Sequence, residues 1–132
     1  IEGFLILKEE IRQIAEKFDN ASQEYTYYRP FADLEKDSLN ASKIISLAAQ
    51  FGEGWLIPGE ISAFAENKIY NAISLQPFGC IANHVISKGI EKKIKKTYPK
   101  MNLLFLDFDG GTSEANILNR LHFMIDNAKN GE

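Results

Sequence analysis

Cys80, His84, Asp107 and Asp109 are the residues of this 132-residue chain whose types and spacing suit chemistry. Cys80 is the only cysteine and stands four residues before His84, which suits a thiol nucleophile beside a base, or two ligands of a metal ion. A closed zinc site takes four ligands, so this pair would fill half of one. Asp107 and Asp109 lie two apart in Asp107-Phe108-Asp109-Gly110-Gly111-Thr112, and a phosphoryl-transfer enzyme using both is a further possibility. That reading requires magnesium-dependent turnover. The other histidine, His122, falls beside Phe123 and Met124 in a helical pattern and reads as a surface or packing residue.

The elements around these residues decide where they meet. Ala72-Ile73-Ser74-Leu75 is a short apolar run with β-branched character. After the turn from Gln76 to His84, the residues Val85, Ile86, Ile90 and Ile94 recur at helical spacing, giving a helix from about Asn83 to Thr97. A second run, Leu103-Leu104-Phe105-Leu106, leads through the aspartate turn into a helix capped by Thr112 or Ser113. That helix has Glu114 in its first turn and Leu118, Leu121 and Ile125 on one face. The pattern predicts an α/β fold with a βαβα core, a small parallel sheet with flanking helices and a right-handed crossover. Strands that point the same way open both turns on the carboxyl edge, where ligands bind in open α/β sheets. Cys80, with Gln76 and His84 around it, is therefore expected to share that edge with Asp107, Asp109, Ser113, Glu114 and Asn116. A thiol at a helix start is better suited to bind metal or react than a buried structural cysteine.

Earlier in the chain, Phe4, Leu7, Ile11, Ile14, Ala15 and Phe18 predict an amphipathic helix from about Phe4 to Phe18. Tyr25-Thr26-Tyr27-Tyr28 suits a short strand packed over a sheet edge. Arg29-Pro30-Phe31 forces an extended step. Asp37 or Ser38 then caps a helix lined by Ala41, Ile44, Ile45 and Ala48. The two glycines of Gly52-Glu53-Gly54-Trp55 point to positive φ or to a close approach by another segment. Pro58 suits the start of the next helix, which carries Ile61, Phe64 and Ala65 and closes at Asn67-Lys68. Gly89, inside the Cys80 helix, is expected to let that helix lie close to the sheet. Lys92, Lys93, Lys95 and Lys96 read as a solvated end that opposes the helix dipole.

Composition narrows the partners. With 45% hydrophobic and 25% charged residues the chain is globular, and residues 1–132 fit one α/β domain, with 1–30 peripheral and 31–128 as its core. A net charge of −3 lacks the basic surface of a nucleic-acid binder, so no nucleic acid is expected as a partner. No apolar run approaches the roughly 20 residues that span a bilayer, so no membrane partner is expected either. A single cysteine suits a reducing, cytoplasmic setting. The start at Ile1-Glu2-Gly3, without a signal-peptide pattern, suggests a piece of a longer protein.

Larger motifs carry resemblances. Asp107 to Thr112 invites comparison with the Asp-x-Asp-Gly-Thr signature of haloacid-dehalogenase-like phosphatases, from which the inserted glycine and the short remaining chain depart. Asp109-Gly110-Gly111-Thr112 invites another with the phosphate loop of actin-like ATPases, which joins two strands where a helix is expected here.

Several further motifs stand in register: Phe51-Gly52-Glu53-Gly54-Trp55, Pro58-Gly59-Glu60, Gln76-Pro77-Phe78-Gly79-Cys80, Asn83-His84 and Lys88-Gly89. Asp107-Phe108-Asp109, Thr112-Ser113-Glu114, Asn116 and Asn119-Arg120 follow. Together, over roughly Phe51 to Met124, they resemble the C-terminal part of the large activase-related proteins of the 2-hydroxyacyl-CoA dehydratase system. More distantly, the order strand, cysteine, helix, strand, aspartate resembles the final domain of subunits of 2-hydroxyglutaryl-CoA dehydratase and benzoyl-CoA reductase. In those subunits cysteines from successive domains hold a 4Fe-4S cluster, and an ATP-driven activase injects the electron. The resemblance implies a dehydratase-subunit-like fold, an anaerobic host and Cys80 as one cluster ligand in electron transfer. It implies as partners other domains of the parent protein and an acyl-CoA dehydratase. One cysteine cannot hold such a cluster, so the isolated chain is expected to bind none and to be catalytically silent. The alternative is a non-redox docking module in which Cys80 is merely packed.

Overall fold

The computed structural model describes residues 2–26, 28, 30 and 33–131, and Asn83 through its backbone. The chain divides into two units, residues 1–33 and 34–132.

In the first unit, helix α1 (Glu2–Ser22) extends the span read from the apolar spacing at both ends. Arg12 bridges Glu9, at 2.6 Å, and Glu16, holding turns on either side of it. Tyr25 to Tyr28 does not form the expected strand. The Tyr25 N–H bonds to the Ser22 carbonyl (3.1 Å) and the Tyr28 N–H to that of Tyr25 (3.0 Å), so local turns use the groups a strand would offer sideways. Tyr28 folds back, donating its hydroxyl to Asp19 and packing its ring against Phe18. Tyr27, and the Arg29 and Phe31 of the extended step, lie outside the described residues.

The second unit comprises α2 (Leu34–Ser42), α3 (Leu56–Glu66), β1 (Asn71–Pro77), α4 (Lys88–Thr97), β2 (Asn102–Phe108) and α5 (Glu114–Asn130). A π-helical segment, Ala82–Ser87, leads into α4. Among the described residues, β1 and β2 form a two-stranded parallel sheet in which Asn71 pairs with Asn102 and Pro77 with Phe108. The α/β class and the parallel pair are those the sequence predicts.

Helix α2 begins at Leu34 and ends at Ser42, so Asp37 and Ser38 lie inside it and do not start it. The Ser38 and Ser42 hydroxyls donate to carbonyls three residues back, at 2.8 and 2.7 Å. Such back-bonding competes with helical continuation, and the N–H groups of Ile44 and Ile45 both turn back to the Ala41 carbonyl. Ile44 is buried all the same, and with Ile61, Ala65, Ala72, Ile86, Ile90, Ile94 and Met101 it forms the core. Helix α3 closes at Asn67 and Lys68, with Lys68 at φ 61.

The glycine turn is needed for two reasons. Gly54, at φ 44, would set a Cβ 2.1 Å from the Ala49 carbonyl oxygen, a clash no side chain tolerates. Gly52, at φ 55, lies so near the π segment that a Cβ would stand 3.1 Å from the Ala82 side chain. The turn therefore seats against the first residues of the helix that follows Cys80.

Two expectations change. In α5 the covered side runs through Ile117, Leu121, Met124 and Ala128, whereas Leu118 and Ile125 are exposed. Both rows have helical spacing, and contact with β2 selects the first. Gly89 is exposed and a Cβ there would meet nothing within 4 Å, so it does not serve close packing. Gly89→Ala is accordingly expected to stabilise the protein by about 1 kcal/mol through helix propensity alone. Urea unfolding of the two proteins measures this, and a loss of stability would show that the glycine's backbone freedom is used.

Candidate functional site

The site grows out of the strand register. Gln76 pairs with Asp107, and register partners in a sheet share a face, so the two side chains project to the same side. Ala72 and Leu103, opposite each other on that face, reach the core. Past Pro77 the ladder continues for one bond, from the Phe78 N–H to the Phe108 carbonyl (2.9 Å). The chain then reverses: the Cys80 N–H bonds to the Pro77 carbonyl (3.1 Å), with Gly79 at φ 79 in the third position, where a type II turn requires positive φ. Cys80 thus stands half-buried between the carboxyl end of β1 and the start of the helix.

His84 fastens this turn. Its backbone N–H bonds to the Cys80 carbonyl (2.9 Å), and its ring Nδ1 lies 3.1 Å from the same oxygen. A carbonyl only accepts, so this contact places the proton on Nδ1. The opposite ring nitrogen, Nε2, is 3.5 Å from Asp107 Oδ1, and the Phe78 ring meets the imidazole edge-on. One turn on, Lys88 Nζ donates to Asp107 Oδ2 at 2.8 Å. The Lys88 hydrogen bond holds the Asp107 carboxyl below the usual carboxylate range, against the opposing effect of burial and helped by the charges of Lys88, His84 and Arg120. Arg120, from α5, donates Nη2 to the Phe105 carbonyl at 2.6 Å and ties that helix to β2.

Gln76 is the anomaly. It is 1% exposed, and neither its Oε1 nor its Nε2 has a hydrogen-bond partner among the described residues. Oδ1 of Asp107, one strand across, is likewise covered and lacks a hydrogen bond. Leaving a buried polar group unpaired costs about 1–3 kcal/mol.

The structure therefore gathers Gln76, Cys80, His84 and Asp107 at the end of the sheet. Asp109 is committed locally, since its carboxylate accepts from the Gly111 N–H (2.7 Å) and the Thr112 hydroxyl (2.9 Å). Ser113 precedes the first turn of α5, which carries Glu114 and Asn116; all three are exposed. Among the described residues no side-chain hydrogen bond joins them to the Cys80 turn. His122 is exposed on α5. Sequence reasoning missed Lys88 as a site residue, although its position four after His84 places both on one helix face. Among the described residues no group of three or more His, Cys, Asp or Glu side chains could hold a metal ion. No family profile, curated protein or solved structure matches the chain.

Two outcomes follow from this geometry. Because the folded Asp107 titrates below its unfolded value, its pairing contributes stability that is present above about pH 3.9 and lost as pH falls through the depressed value. Lys88→Met should therefore lower stability by about 0.5–1 kcal/mol near neutral pH, the pair being part-exposed. The difference from wild type should shrink to nothing once Asp107 is protonated, as paired urea titrations across acid pH would show. Gln76→Leu should raise stability by about 1–3 kcal/mol, because it removes two unpaired buried polar atoms. A destabilised variant in the same assay would mean that the amide is satisfied in solution.

Proposed function

We propose that this chain is a domain of an activase-related protein of the 2-hydroxyacyl-CoA dehydratase system, in which Cys80 is one thiolate ligand of a 4Fe-4S cluster. The observation that carries the reading is the placement of Cys80. A half-buried thiol stands at the carboxyl end of a parallel strand and the start of a helix, four residues after a buried glutamine whose amide has no partner among the described residues.

One thiol suits a share in a cluster whose other ligands lie elsewhere. One thiol meets one of four iron positions, and His84, held between the Cys80 carbonyl and Asp107, is a support for the turn. The remaining thiolates belong to other domains of the parent protein or to an acyl-CoA dehydratase. When bound, the cluster supplies one-electron transfer. The chain's own residues hold the sulfur. Gly79 permits the turn, His84 fixes the Cys80 carbonyl, and Lys88 holds Asp107, whose Oδ1 lies 3.5 Å from His84 Nε2. In this reading the chain turns over no substrate itself and works in the cytoplasm of an anaerobe.

Anaerobic reconstitution of the complete natural polypeptide with iron and sulfide tests the proposal. Wild type should take up iron and show the visible absorption of a cluster, and Cys80→Ser should lose both while keeping its far-ultraviolet circular dichroism. An unchanged cluster in the variant, or an apo wild type, would leave Cys80 as a packed residue of a docking module.

A further inference from the structure

The outer edge of β1 is open. In a parallel ladder the N–H and C=O of one residue point to the same side, and those of the next to the other. The bonds from the Asn102 N–H to the Tyr70 carbonyl and from the Phe78 N–H to the Phe108 carbonyl fix this phase. Ala72, Ser74 and Gln76 therefore direct their backbone groups to β2, whereas Asn71, Ile73, Leu75 and Pro77 direct theirs outward. No described residue pairs with that outward edge.

Two-stranded sheets are marginal on their own, and parallel sheets are normally covered on both faces. Here Ile73 is 45% and Leu75 63% exposed. Between α3 and the two strands, reaching Ile73 and Leu75, lies a groove of about 260 Å³ whose wall includes Ile57 and the partly exposed Phe64 and whose charged residues are Glu53 and Glu60. Burial first, and then the nearby Asp37 and Glu53 carboxylates, push the Glu60 carboxyl up, a sign that negative charge is crowded here.

We infer that an extended segment of a partner protein adds to β1 as a third strand, with apolar residues at alternate positions and a basic side chain set over Glu53 and Glu60. Its backbone pairs with Ile73 and Leu75. Side chains on one face cover Ile73 and Leu75, and those on the other enter the groove beside Ile57 and Phe64. The basic side chain relieves the carboxylate crowding, and like-charged segments are rejected by it.

The test is amide hydrogen exchange by nuclear magnetic resonance on the whole chain. The probes are capped peptides of alternating valine and threonine with one arginine placed at each position in turn. Without peptide, the Ile73 and Leu75 amides should exchange freely while those of Ser74 and Gln76 are protected by β2. At least one arginine peptide should protect Ile73 and Leu75 saturably, and Glu53→Lys with Glu60→Lys should weaken that binding about tenfold or more. Peptides with glutamate in place of arginine should not bind. Failure of every arginine peptide, or equal binding of the glutamate series, would overturn the inference. Protection of Ile73 and Leu75 in the dilute free chain would show the edge already covered. Protection that rises with protein concentration alone would make a second copy of this chain the occupant.

Discussion

The parallel pairing of β1 with β2 is the constraint from which the rest of the second unit follows. Two strands pointing the same way cannot be joined by a hairpin, so the chain must travel back along the sheet before β2 begins. The π segment and α4 make that return, and their buried Ile86, Ile90 and Ile94 build the core against Ala72 and Ile61. The same pairing puts both strand-to-helix turns at one end. It also sets Gln76 opposite Asp107 across the sheet, although the two lie far apart in the chain. The approach of His84 and Lys88 to Asp107 depends on this register, because a slip of one residue would turn Asp107 and its neighbours to the opposite face.

A polar cluster set into the end of an apolar sheet lowers stability there. Ile94 and Met101 sit in a covered core, but Gln76, as deeply buried, has no hydrogen-bond partner among the described residues. Fold stability alone would favour an apolar residue at that position. Proteins lie just above their stability threshold, and departures of this kind gather where function needs them. The π-helical first turn beside Cys80 has the same character, since π geometry inside helices is rare and is often found at functional sites.

What the sequence makes legible is local. The apolar runs at Ala72 and Leu103 and the helical spacing from Val85 to Ile94 give the βαβα order, and Pro58 and Asn67-Lys68 mark the ends of α3, because each depends on neighbours within a few residues. Positive φ at Gly52 and Gly54 is equally legible, since turns demand glycine for steric reasons. What escapes is set by distant contacts. Contact with β2 selects the Met124 row of α5 over the Leu118 row, and nothing in the helix's own spacing does so. The seat of Gly52 against Ala82 and the open space over Gly89 are likewise tertiary facts. Tyr25 to Tyr28 has β propensity, but its turn bonds and the Tyr28 contacts to Asp19 and Phe18 override it. At the site, the four-residue step from Cys80 to His84 is visible in sequence. The orphaned state of Gln76 appears only once the sheet covers it.

Strand β1 is thus used three ways: its inner edge binds β2, its outer edge is open, and its end carries Cys80. The last two uses could conflict, since an added strand that ran on past β1 would cover the turn. Pro77 separates them. By the alternation of the ladder its nitrogen faces outward, where a ring replaces the N–H that an added strand would need. Pairing along Ile73 and Leu75 must therefore weaken at Pro77, before the chain reverses at Gly79 and reaches Cys80. A proline at the last position of an edge strand is tolerated because it takes nothing from the inner ladder. At this position it also lets the outer edge be occupied while the cysteine turn stays open.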